Sequence, residues 1–111
     1  MNLRKGTLSS NEYSIKLSEE VFNDVDETLY WYKLHNEELA KEFYKNLIQA
    51  FYNILHNPKS YQKVHRDSRR CLVKKFPYSI IFNIDEVNLQ IIIITVFHNS
   101  RNPKSWKERI N

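Results

Sequence analysis

The most apolar run of this chain, Ile91 to Phe97, breaks at once into His98-Asn99-Ser100-Arg101-Asn102-Pro103. An imidazole moves protons near neutral pH. A guanidinium grips phosphate or carboxylate oxygens through paired hydrogen bonds. The same segment continues with Lys104, Lys107 and Arg109, and "HRDSRRCLVKK" (65–75) adds Arg66, Arg69, Arg70, Lys74 and Lys75. Tyr78 and Trp106 are candidates for stacking on bases. These residue types would suffice for metal-independent RNA cleavage: a base for the 2′-hydroxyl, an acid for the leaving oxygen, cations for the phosphorane. Each also has a plain structural reading. His98 can simply be hydrogen-bonded at a strand end, and Arg69-Arg70 can solvate a loop or pair with helix acids. Trp106 can pack the last helix onto the sheet.

Other chemistries find less support. Residues 62–111 hold only four acids, Asp67, Asp85, Glu86 and Glu108, so neither a two-metal site nor a glycosidase carboxylate pair is visible. One cysteine and four scattered histidines do not make a zinc site, so no metal or cofactor is expected. No nucleophile-elbow motif is present. The single glycine, Gly6, excludes a glycine-rich phosphate loop.

Charge is divided unevenly. Residues 1–61 carry 7 Lys/Arg against 9 Asp/Glu, whereas residues 62–111 carry 10 against 4, within a net charge of +4. The basic half suits a polyanion or an acidic protein partner, or is merely a solvated surface. A lone Cys71 fits a reducing compartment. The N-terminus has no apolar signal segment. The apolar run is far short of the roughly 20 residues that span a bilayer. A cytoplasmic protein without membrane contact is expected.

The elements that would position these residues follow from periodicity. Residues 1–12 show none and are expected to form a flexible arm before a single domain at 13–111. "YSIKL" (13–17) alternates as a strand does. Ser18 followed by Glu19 and Glu20 marks a helix start, and Val21, Phe22, Val25, Leu29 and Tyr32 recur at helical spacing over 19–34. After a break at 35–38, Leu39, Phe43, Leu47, Ala50, Phe51 and Ile54 share one face of a second helix that ends at Asn57-Pro58. Strands are expected at 71–75, 78–84 and 89–97, with a polar turn at 85–88. Apolar on both faces, 89–97 reads as a central strand. A short helix follows Pro103. This order gives an α+β fold, a two-helix hairpin on a mostly antiparallel sheet of about four strands.

Three stretches taken in order carry a resemblance: "LAKEFYKNLIQAFYNILHNPKSY", "RRCLVKKFPYSIIFNI" and "IIIITVFHNSRNPKSW". Leu39-Ala40, Asn57-Pro58, Arg69-Arg70, Phe76-Pro77-Tyr78 and His98-x-x-Arg101 with Asn102, Pro103 and Trp106 resemble the RelE/ParE superfamily of bacterial toxins. The match runs from about 13 to 109. It implies the toxin of a type II toxin–antitoxin, or plasmid-stabilisation, system: a growth inhibitor neutralised by a protein antitoxin, with which it can form a hetero-oligomer. RelE-like members cleave mRNA on the ribosome, whereas ParE-like members poison DNA gyrase. RelE-like members tend to carry an arginine just after the position of Tyr78, where Ser79 stands here, and Trp106 stands in for the C-terminal tyrosine that some of them use. His98-x-x-Arg101 is common on the ParE-like side. The resemblance therefore leans to a gyrase poison. Its alternatives are a RelE-like endoribonuclease and a non-toxic binding module. In the ribonuclease case His98 would be the general acid or base, with Arg70 and Arg101 on the phosphorane. Otherwise Arg66, Arg69, Lys74, Lys75, Tyr78, Lys104 and Trp106 would bind a partner or nucleic acid.

Overall fold

The computed structural model describes residue 8 and residues 12–110. The expected arm at 1–12 thus lies outside the described residues, except for Leu8 and Glu12. Leu8 packs against the core, and its carbonyl accepts the Ile15 N–H at 2.8 Å.

Strand β1 (Ser14–Lys16) leads into α1 (Glu19–His35) and α2 (Glu37–His56). Ser18 caps α1 by accepting the Val21 N–H at 3.3 Å, and Glu19 and Glu20 complement the helix dipole in the first turn. The break expected at 35–38 shrinks to Asn36 alone. Its N–H donates to the Tyr32 carbonyl at 2.7 Å, while its side-chain oxygen accepts from Glu38 N–H at 2.9 Å. One residue thus ends α1 and starts α2. Ala40, Phe43, Leu47, Phe51 and Ile54 then lie on one buried face of α2, which stops at Asn57-Pro58 as the sequence indicates.

A 3₁₀ turn at Pro58–Ser60 leads to β2 (Lys63–His65), β3 (Ser68–Leu72), β4 (Tyr78–Asp85) and β5 (Gln90–His98), and then to the short α3 (Lys104–Lys107). The sheet has five strands rather than about four, in the order β1-β5-β4-β3-β2. β1 runs parallel to β5, and every other pair is antiparallel. The extra strand is β2, too short and polar to alternate visibly. β3 falls at 68–72 instead of 71–75, because Lys75 turns the chain in the left-handed region (φ 69°) and Val73 N–H already closes that turn onto the Tyr78 carbonyl. β4 is the middle strand, and β5 lies one in from the edge.

Both faces of β5 are nevertheless covered, which explains its unbroken apolar run. On one face Ile91, Ile93 and Val96 join the helices in the main core with Phe43, Leu47, Phe51, Ile80 and Phe82. On the other, Ile81 and Phe97 are covered by Trp106 and Ile110 from the C-terminal segment. A bulge at Ile94 keeps both sets in register, since Phe82 pairs with Ile93 but Ile81 with Thr95.

Candidate functional site

β1 ends at Lys16, opposite Ile92, and α1 runs beside β5 beyond that point. An uncovered strand edge offers unpaired backbone groups, and proteins generally cover or cap them. Here Asp24 of α1 does so. One of its oxygens accepts from the Thr95 hydroxyl at 2.9 Å and the Val96 N–H at 3.4 Å. Arg109 closes the arrangement, donating to both Asp24 oxygens at 2.8 and 3.2 Å and to the Ile94 carbonyl at 3.2 Å. It also pairs with Glu20 at 3.1 Å. With Asp24 12% and Arg109 26% exposed, the pair is partly desolvated, and the Asp24 hydrogen bonds hold the guanidinium pKa above its ordinary value. The clamp pins the C-terminal segment to α1 around the edge of β5.

Two residues further along the same edge lies a groove of about 540 Å³ between α1 and the ends of β4 and β5. Thr28, Trp31 and Tyr32 form its helix wall, Pro77 and Tyr78 its far wall, and His98 and Arg101 its mouth. Tyr78 is fixed from behind by Phe43, with ring centres 5.1 Å apart, and the His98 ring stands edge-on to it at 5.1 Å. Burial, and then the neighbouring Tyr78, raise the Tyr32 hydroxyl above the usual tyrosine pKa. Trp31 is 55% exposed, and Tyr30 and Leu34 beside it on α1 are exposed too.

The state of the His98 ring follows from its neighbours. A backbone N–H can only donate, and that of Ser100 meets His98 Nδ1 at 3.1 Å, with the Ser100 hydroxyl at 2.7 Å. Nδ1 is therefore an acceptor, and the proton of the neutral ring sits on Nε2.

The other candidates are dispersed. Arg70, opposite Ile81, lies on the face of the sheet away from the helices, whereas His98, opposite Tyr78, lies on the helix face. Arg70 donates to Ser79 Oγ at 2.8 Å and Asn99 Oδ1 at 3.2 Å, and Ser79 donates to the same Asn99 oxygen at 2.5 Å. Ser79 is fully buried and holds Arg70 against the strand. Arg69 points the other way and donates to the Lys59 and Tyr61 carbonyls at 3.2 and 2.7 Å, tying down the turn before β2. Lys75 pairs with Glu42 at 3.4 Å. Arg66 turns the chain at the opposite end of the sheet (φ 51°). Lys74 and Lys104 are exposed, and neither lines the groove. The two basic clusters thus do not converge on one face. Trp106, 5% exposed, is core and not a stacking platform for bases. Among the described residues no three His, Cys, Asp or Glu side chains gather as a metal site would require, and no helix is long and apolar enough to cross a membrane.

The sequence reading missed Asp24, Arg109 as its partner, and Asn99. Asp24 carries the one available signal, an acid four residues before buried Thr28 on the flank of an apolar stripe.

Residues 15–103 match the family model described as "ParE toxin of type II toxin-antitoxin system, parDE". The chain belongs to the ParE toxin family. Its fold is similar to that of a chain in the structure "Chromosomal ParDE TA system from P. aeruginosa", with a TM-score of 0.68 at 15% identity. That likeness covers 80% of this chain and 98% of the other. No curated protein matches the sequence. As a ParE-family toxin the chain is the toxic half of a type II toxin–antitoxin system, and a cognate antitoxin is its partner. Trp106, Arg109 and Ile110, which cover the far face and clamp the edge, lie beyond the matched residues.

Proposed function

We propose that this toxin arrests growth in the cytoplasm by poisoning DNA gyrase, with no ribonuclease step, and that its antitoxin covers α1 and the adjoining groove. The observation that carries the choice of target is that Arg70 lies on the opposite face of the sheet from His98, which leaves Arg101 the one cation of the expected set beside it. Cleavage of RNA through its 2′-hydroxyl needs a proton acceptor close to the cations that hold the phosphorane. The acceptor nitrogen of His98 is taken by Ser100, and the Arg70 guanidinium is taken by Ser79 and Asn99. Ser79 stands where RelE-like members tend to carry an arginine, and it serves as a hydrogen-bond partner within the sheet.

Exposed Tyr30, Trp31 and Leu34 on one side of α1 support the antitoxin site. An amphipathic helix laid over such a strip is a common recognition mode. Expression without antitoxin in bacteria tests the reading, by following DNA breakage beside mRNA decay. Gyrase-dependent breakage with intact mRNA is expected. Rapid mRNA cleavage would replace the gyrase reading with the ribonuclease one, and unaffected growth at full soluble expression would leave a non-toxic binding module.

A further inference from the structure

We propose that His98 and Arg101 form a carboxylate receptor at the mouth of the groove, which takes an aspartate or glutamate side chain of the antitoxin. This rests on the reading that the antitoxin covers the groove.

Ser100 fixes Nδ1 of His98 as an acceptor, so the remaining nitrogen, Nε2, carries a proton to give. Arg101 lines the same mouth, three residues on, where its backbone N–H is tied to the His98 carbonyl at 3.0 Å. Its guanidinium is exposed and has no side-chain partner among the described residues, unlike Arg69, Arg70 and Arg109. An N–H and a guanidinium from residues that line one groove call for an acceptor, and a negative one. The walls favour a single carboxylate on an apolar stem. Trp31, Tyr32 and Tyr78 offer ring surface to the stem and displace water from the charged contact.

A phosphodiester chain fits less well, because Asp24 and Glu27 line the same groove. Asp24 is already neutralised by Arg109, whereas Glu27 repels a second or third anionic group. The basic second half of the chain adds attraction for an acidic partner without defining the contact.

The test uses full-length toxin and the antitoxin encoded with it, titrated by calorimetry. Arg101→Glu is expected to weaken binding roughly 30-fold or more, and His98→Phe about 10-fold. An Asp→Arg or Glu→Arg change at one antitoxin position should restore affinity to Arg101→Glu alone. Unchanged affinity of both toxin variants, while wild-type toxin still binds and is neutralised, would overturn the receptor and leave the antitoxin reading standing. Failure of the wild-type pair to associate would instead remove both. A ten-nucleotide single-stranded RNA that competes with the antitoxin and loses this ability in Arg101→Glu would mark a phosphate site and also overturn the proposal. Nitrogen-15 shifts of the His98 ring in the folded wild type give a check independent of any variant. They should report the Nε2–H tautomer, and an Nδ1–H tautomer would remove the donor on which the receptor depends.

Discussion

Two places on one edge of β5 differ in how their polar groups are used. At Ile94 to Val96, Asp24 and Arg109 leave little unmet: carbonyl, N–H, hydroxyl, carboxylate and guanidinium all engage one another. At His98 and Arg101, which begin two residues beyond, the backbone is also tied down, but the residues line a groove and the Arg101 guanidinium has no side-chain partner among the described residues. The same helix flanks both. Partly buried charges that satisfy one another hold a fold together. Donors that line an aromatic-walled groove with hydrogen-bonding capacity left over are available to another molecule. The first region should therefore answer to stability measurements and the second to binding measurements.

Asp24→Ala should have the largest effect on stability. It leaves the Thr95 hydroxyl and the Val96 N–H without their acceptor and Arg109 with only Glu20 and the Ile94 carbonyl, and should lower unfolding free energy by about 3 kcal/mol, read from the midpoint of urea denaturation. Arg109→Met removes the cation but leaves Asp24 its Thr95 and Val96 donors. A loss of about 1–2 kcal/mol is expected, with the Trp106 environment altered in near-ultraviolet circular dichroism. A loss as large as that of Asp24→Ala would show that the carboxylate does little apart from its partner.

At the groove the pattern should invert. His98→Ala and Arg101→Ala should each change stability by less than about 0.5 kcal/mol while weakening antitoxin binding. A large loss of stability from either would make the groove structural and erase the contrast. A smaller effect is expected at Tyr61, whose hydroxyl is pushed up to about 12 by burial and by neighbouring Cys71. A raised pKa in the folded state stabilises below the ordinary tyrosine value. That contribution should be lost as pH rises from about 10 through 12, seen by ultraviolet absorbance as late tyrosine ionisation that Tyr61→Phe reduces.

The sequence carries the helices most clearly, because periodicity and caps act locally. Ser18, Asn57 and Pro58 each do in the structure what their residue types indicate. The apolar run of β5 shows that both faces are covered, but not by what. A short helix after Pro103 and a Trp106 packed on the sheet are both readable from the residues, whereas Ile110 beside it has no signal of its own. β2 is hidden, since Lys-Val-His has no alternation and only two of its residues, Lys63 and His65, find partners in β3. β3 is misplaced because Arg69 and Arg70 resemble a solvated loop. Their side chains go to opposite faces, and each finds partners that are distant in sequence. For the site, His98 and Arg101 stand out by type and spacing. Their role depends on a proton position set by Ser100, and the clamp beside them joins residues 85 apart in the chain. Contacts of that kind are formed by the fold and leave little trace in local pattern.

The most direct test of the account is the toxicity of His98→Ala, induced without antitoxin and then with it. The account predicts that the variant still arrests growth with DNA breakage and intact mRNA, while its antitoxin protects the cells less well than it protects them from the wild type. An mRNA cleavage activity of the wild type that falls by roughly 10²–10⁴-fold in His98→Ala, as loss of a general acid–base group would cause, would contradict it.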